Sequence, residues 1–214
     1  LEHNTKSPVY LYRLPNVFGK WSRPNYNSAV ATFCHNIANN KSIKIDDPTS
    51  IIRLVYIDDV ISDFLSLLDR KHKGLERRVV APEYSVTVGD IINYIQLFKN
   101  SRESLNIEAV GLGLIRALYS TYLSFLKPEQ FSYPLTIHED TRGRFVEILK
   151  TKDSGQFSFF TAHPGIKRGG HYHHSKSEKF LVVQGSARFG FRHIVTGEVY
   201  EVLTEGVRPV VVET

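Results

Sequence analysis

The sequence predicts two successive architectures, a mixed α/β region up to about residue 126 and an all-β region from residue 135. Three observations carry this. Short apolar strands alternate with 3.6-residue apolar stripes up to residue 126, the signature of α/β layering. A proline-bounded stretch, Lys127-Pro-Glu-Gln-Phe-Ser-Tyr-Pro134, then interrupts the pattern. Beyond it only β-type segments occur, separated at short intervals by turn residues. The expected boundaries are therefore 1–126, a linker at 127–134, and 135–214.

The elements follow in order. Val9 to Leu14 reads as a strand ending at Pro15-Asn-Val-Phe-Gly19, with a polar loop from Lys20 to Asn27. Asn27 or Ser28 caps a helix whose stripe is Val30, Phe33, Cys34, Ile37 and Ala38. Ser42 to Ile45 reads as a brief strand, and Asp46-Asp-Pro48 as a turn. Ile51 to Ile57 is a strand, and Asp58 opens a helix through Leu68, its acid favourable at the positive helix end. Val79 to Pro82 reads as another strand, and Thr87 as the cap of a helix carrying Ile91, Ile92, Ile95 and Phe98. Ile107 to Leu126 reads as a helix interrupted by Gly111 and Gly113. The later strands are expected at Leu135–Ile137, Gly143–Lys150, Gln156–Ala162, Lys179–Val183, Ala187–Ile194, Glu198–Leu203 and Arg208–Val212.

Composition narrows the classes of function. Hydrophobic residues make up 42% and charged residues 23%, ordinary for a globular protein. No apolar run approaches the roughly 18 residues of a membrane span, so membrane insertion is not expected. The single cysteine, Cys34, lies on an apolar helical stripe and reads as a core residue, with a reducing cytoplasm as the expected compartment. A net charge of +5 suits acidic partners, but no dense basic stripe or nucleic-acid motif accompanies it. A small phosphorylated substrate is the milder inference. Methionine is absent even at position 1, Leu1 to Lys6 reads as the tail of a helix, and Thr214 stops a strand-like run. The chain is thus expected to be a fragment of a longer protein.

The most informative stretch runs from Gly165 to Gly185. It places His171 and His173 two apart, then Glu178, then an apolar strand ending in glycine. In an extended segment, residues i and i+2 point to one side, so the two imidazoles project together. A turn through Ser175 and Lys176 returns the Glu178 carboxylate beside them. Two imidazoles and a carboxylate suit a divalent transition metal with a further position for water or substrate. Histidines clustered in a loop are usually solvated and inert, and His174 reads that way. The spacing Gly-x5-His-x-His-x4-Glu-x6-Gly is far more restrictive than a count of histidines. It resembles the first motif of the cupin superfamily, which implies a β-barrel of jelly-roll type.

In the first region, Asn16 and the loop after it follow a strand, the position where open α/β sheets bind ligands. Lys20 and Arg23 there suit phosphate, although either also reads as a solvated surface base. The runs Arg13-Leu-Pro-Asn-Val-Phe-Gly19 and Ile52-Arg-Leu-Val-Tyr-Ile-Asp-Asp-Val60 resemble the C-terminal half of extended short-chain dehydrogenase/reductases, a Rossmann-type family. That resemblance implies Asn16 as a nucleotide-sugar contact and Arg53 as a pyrophosphate contact. The acids Asp58 and Asp59 read as a helix start. A Gly-rich dinucleotide loop after a strand and a Tyr-x-x-x-Lys pair before residue 9 are both absent from the sequence, so the chain alone is not expected to bind nicotinamide cofactor.

With Asn16 to Ser28, Tyr119 to Phe125, Phe131 to Pro134 and Glu178 to Val183, the whole chain resembles the bifunctional capsular-polysaccharide UDP-sugar reductase/epimerases of the CapF/WbjC type. The resemblance implies a UDP-linked 2-acetamido-2,6-dideoxy-4-ketohexose as substrate, on the route to UDP-N-acetyl-L-fucosamine. It also implies zinc and C3 epimerisation in the cupin part, truncated here before its last ligand, NADPH-dependent C4 reduction in the full-length protein, and a homodimer. Zinc on His171, His173 and Glu178 either acts as a Lewis acid or braces the fold. A base is open among His138, Tyr172 and His193, and Asp140-x-Arg142 reads as an active-site pair or a plain turn. The alternatives are a non-catalytic zinc-stabilised module for dimerisation or substrate binding, and a cupin dioxygenase.

Overall fold

The computed structural model describes residues 8–70 and 74–214; Leu1 to Lys6, with its expected helix tail, lies outside them. Internal contacts divide the chain into two units, Leu1–Pro164 and Gly165–Thr214. The change from α/β to all-β composition comes earlier, after the 3-10 turn Pro128–Gln130.

The first unit is built on short strands and four helices among the described residues. β1 (Val9–Tyr12) pairs in parallel with β4 (Leu75–Arg78). β2 (Asn16–Phe18) lies parallel to β3 (Ile51–Tyr56), which pairs antiparallel with β5 (Glu83–Thr87). α1 (Ala29–Ala38) starts where the Ser28 hydroxyl accepts the Ala31 N–H at 3.2 Å. α2 (Ile57–Leu65) begins with Asp58 and Asp59 in its first turn, and α3 (Val88–Ser104) with the Thr87 hydroxyl accepting from Asp90 N at 3.0 Å. α4 (Gly113–Leu123) completes the set. Phe18, Phe33, Leu54, Tyr56, Ile91, Ile95, Phe98, Leu118 and Tyr122 form the core, each large buried side chain contributing about 1.5–3 kcal/mol of transfer free energy. Cys34 is fully buried in it, and burial pushes its thiol pKa far up, so it is an inert packing residue.

Several expected elements differ. Ser42 to Ile45 is not a strand; the Ser42 carbonyl accepts from Asn36 Nδ2 at 3.2 Å and finds no sheet partner among the described residues. Val79 to Pro82 is irregular, because Pro82 lacks the N–H a ladder needs, and the strands are β4 and β5 on either side. Residues 107–112 do not extend α4. At their start, Ile107 N donates to Lys150 O at 2.8 Å, and Lys150 N donates to Leu105 O at 2.7 Å just before them. The proline-bounded stretch is not a free linker, since Gln130 Nε2 donates to Ala38 O at 2.9 Å and Arg102 Nη1 donates to Gln130 O.

One polar knot ties β1, α2 and β4. Asp63 accepts from Arg78 Nη2 at 2.7 Å and from the Tyr12 hydroxyl, and Arg78 Nη1 reaches Glu76 at 2.9 Å. The Arg78 bonds first, then Tyr12, hold the Asp63 carboxyl below its usual range. A depressed folded-state pKa contributes stability above the unfolded value of about 3.9, and that contribution drains away as pH falls through the folded value. Asp63→Asn is therefore expected to flatten the low-pH arm of stability against pH, read from denaturant midpoints between pH 7 and 3. An unchanged arm would remove Asp63 from the acid response.

β6 (Ile137–Asp140), β7 (Gly143–Lys150) and β8 (Gln156–Phe160) form an antiparallel sheet that also belongs to the first unit. Gly143, at φ 132, makes the tight β6–β7 turn, where a Cβ would lie 2.3 Å from Thr161 O. In the second unit β9 (Lys179–Leu181) pairs with β12 (Val211–Glu213), and β10 (Ser186–Arg192) with β11 (Val199–Glu205), both antiparallel.

Candidate functional site

The loop before β9 gathers the expected metal ligands. Gly169 (φ 100) and Gly170 (φ 81) occupy the left-handed side of backbone space, which only glycine enters without strain, and deliver the chain into His171. The rings of His171 and His173 lie 4.9 Å apart at 70°, while Tyr172 and His174 pair with each other at 5.1 Å. The i, i+2 alternation thus splits the four rings into two pairs. Glu178 immediately precedes the strand Lys179–Leu181, its backbone fixed by two 2.9 Å bonds with Thr214. One donor atom each from His171, His173 and Glu178 falls within 4.8 Å of the others, and His173 Nε2 to Glu178 Oε2 is 3.7 Å.

This donor set fits a divalent ion. Zinc bonds of 2.0–2.2 Å imply ligand separations of about 3.3 Å in a tetrahedron. The exposed imidazoles need to close by at most about 1.5 Å, within the reach of rotamer adjustment. Lys176 Nζ lies 2.8 Å from Glu178 Oε1 and, as the largest cause, holds the carboxyl below its usual range. The carboxylate is thereby kept ionised, the form a metal requires.

The candidate bases each have their own neighbours. Tyr172 faces His174 rather than the ligand set. His138 stands on β6 opposite Phe145, with ring centroids 6.4 Å apart. His193 Nδ1 accepts the Thr196 N–H at 3.0 Å and holds the β10–β11 turn. Asp140 and Arg142 bind each other across the β6–β7 turn, at 2.9 Å through Nε and 2.5 Å through Nη2.

In the first unit a small pocket of ≈ 50 Å³ is lined by Asn16, Phe18, Asn27, Ser28, Ile52 and Leu54, among others. Asn16 sits inside β2 rather than in the loop beyond it, and its Nδ2 donates to Arg53 O at 3.1 Å. Lys20 is 3.0 Å from Asp58, which therefore does more than open α2. Arg53 points along β3 into a two-bond pair with Glu83, so its charge is already compensated. Arg23 lies 5.3 Å over the Tyr26 ring. Asn27 and Ser28, read from sequence as helix-cap candidates and as the end of the ligand-facing loop, are pocket residues. The signal for them is that the polar loop leaves β2 and returns to the same pocket at α1.

The family model for the polysaccharide biosynthesis C-terminal domain matches residues 138–214. The UDP-2-acetamido-2,6-beta-L-arabino-hexul-4-ose reductase of Pseudomonas aeruginosa is 59% identical over 207 residues, covering 97% of this chain and 56% of the reductase. The crystal structure of the capsular polysaccharide assembling protein CapF from Staphylococcus aureus matches with TM-score 0.87 and 41% identity, over 96% of this chain and 56% of that one. The same protein in space group C2221 matches with TM-score 0.87 and 36% identity, over 98% and 68%. The chain thus spans about half the length of the curated relative. The chain belongs to the CapF family of capsular polysaccharide proteins.

Proposed function

We propose that this chain serves an enzyme acting on a UDP-linked 2-acetamido-2,6-dideoxy-4-ketohexose, with the β region supporting epimerisation at C3. The observation that carries this is the His171–His173–Glu178 donor set in a chain 59% identical to a reductase named for a UDP-hexul-4-ose. In this reading the α/β region is the C-terminal part of a Rossmann-type extended short-chain reductase, and the β region is a cupin jelly roll. The whole protein uses NADPH to reduce the C4 ketone, works in the cytoplasm and pairs as a homodimer. No described helix is long and apolar enough to cross a membrane.

The chemistry follows from the substrate. The C3 proton beside a C4 ketone is acidified because its loss gives an enolate, and an epimerase must remove it and return it on the other face. Zinc, when bound, supplies a Lewis acid for developing negative charge on oxygen. His171 and His173 contribute imidazole nitrogen donors, and Glu178 a carboxylate paired with Lys176 at 2.8 Å. In the first unit Asn16 and Asn27 offer amide groups, and Lys20 and Arg23 positive charge, to a nucleotide diphosphate.

The test is solvent deuterium appearing at C3 of the UDP-4-keto sugar, followed by NMR with the protein that carries this chain. Exchange is expected and should be lost in His171→Ala. Exchange that survives His171→Ala would refute the epimerase role of this site. The second reading, a non-catalytic zinc-stabilised module for dimerisation or substrate binding, is favoured by the exposed apolar residues of the second unit, among them Leu181, Val183, Leu203 and Val211. It predicts no exchange under any condition, while removing zinc lowers thermal stability.

A further inference from the structure

The loop between β2 and α1 is pinned at three points yet displays its aromatic residues. Lys20 is tied to Asp58, Trp21 N donates to Ser124 Oγ at 3.2 Å, and Asn25 N donates to Thr32 Oγ1 at 2.9 Å. Trp21 and Asn25 both adopt left-handed backbone, φ 59 and 56, uncommon for a residue as bulky as tryptophan. Even so, the Trp21 side chain is 80% exposed and Tyr26 70% exposed. Large aromatic surface left in water by a fixed backbone costs hydrophobic free energy, and a ligand that covers it recovers that cost.

Three further observations say what covers it. The two ends of the loop, at Phe18 and at Asn27, line the small pocket described above. With ≈ 50 Å³ of room the pocket cannot enclose a nucleotide-sugar, so most of such a ligand would rest on the surface beside it. The aromatic rings are also escorted by cations, with Lys20 Nζ 5.6 Å from the Trp21 centroid and Arg23 over Tyr26. Lys20 is neutralised by Asp58, whereas Arg23 has no acidic partner among the described residues. An exposed π surface on the same loop as a guanidinium with no acidic partner among the described residues complements a planar base joined to a diphosphate.

We infer that Trp21 is the shelf on which the pyrimidine base of a uridine diphosphate stacks, with Arg23 facing the diphosphate. This rests on the UDP-sugar reading above and adds to it the residue that selects a nucleotide over a bare phosphate.

Trp21 is the only tryptophan of the 214 residues, so the intrinsic emission of the chain reports on this ring alone. UDP is expected to change that emission saturably, and inorganic pyrophosphate is expected to leave it unchanged. By calorimetry, Trp21→Ala should weaken UDP on the order of 10- to 100-fold, the usual worth of one base stacked on one aromatic. Trp21→Phe should stay within about threefold of the parent, since it keeps a π face, and pyrophosphate affinity should be equal in all three proteins. The side chain is exposed, so neither variant threatens the core. UDP binding at parental affinity in Trp21→Ala would overturn the shelf while leaving the UDP-sugar reading intact. Failure of the parent chain to bind UDP at all would overturn both.

Discussion

Replacing His173 with alanine is expected to weaken zinc binding by on the order of 100-fold or more, because even partners outside the inner ligand shell are worth 10–100-fold. His173 is the central member of the set. Its Nε2 lies 3.7 Å from Glu178 Oε2, and its ring lies 4.9 Å from that of His171. Removing it leaves one imidazole and one carboxylate. The measurement is competition against a chromophoric chelator at pH 7. His174→Ala is the matched control, since His174 faces Tyr172 and should bind zinc like the parent. The same loss has a second readout, because a ligand bound to the folded state stabilises it by RT ln(1 + [L]/Kd). Zinc should therefore raise the melting temperature of the parent and of His174→Ala but not of His173→Ala. Equal affinity in His173→Ala and the parent would remove the cluster as a metal site.

Why this site was legible in the sequence, and the pocket in the first unit less so, has a physical cause. His171, His173 and Glu178 lie within eight positions, so a short local turn suffices to bring them near one another, and the period-2 rule already separates Tyr172 and His174 from them. The pocket depends on distant pairing. Asn16 reaches it because β2 lies in register with β3, and Asn27 because α1 starts where the loop returns. No local pattern encodes either, nor the Arg53–Glu83 pair, which exists only because β3 and β5 run antiparallel.

The fold divides the same way. Helices with strong caps appear where the pattern places them, Ser28 before α1 and Thr87 before α3, since a cap and an apolar stripe are both local. β7 occupies Gly143–Lys150 as its alternation indicates. The misplaced elements depended on partners. Residues 107–112 look helical by composition but open with Ile107 bonded to Lys150, and Ser42 to Ile45 lacks a strand to pair with among the described residues. Short segments with weak intrinsic preference take the structure that tertiary hydrogen bonding offers.

Phe98→Ala should destabilise the first unit by about 3–5 kcal/mol, the usual cost of emptying an aromatic site in a packed core. Phe98 is 2% exposed and stands where α3 meets α4. Its ring meets Tyr119 edge-on at 5.0 Å and Tyr122 at 6.1 Å, and such aromatic pairs add about 0.5–1.5 kcal/mol beyond area burial. The cavity left behind cannot close cheaply. Tyr122 is itself nearly fully buried, and Ile91, Ile95 and Leu118 of the same core are fully enclosed. The measurement is the denaturant midpoint at constant slope, with Ile91→Val as a scale marker expected to cost about 0.5–1.5 kcal/mol. A Phe98→Ala loss no larger than that of Ile91→Val would mean that the two helices repack around the gap. The α3–α4 contact would then be a soft part of the core rather than its centre.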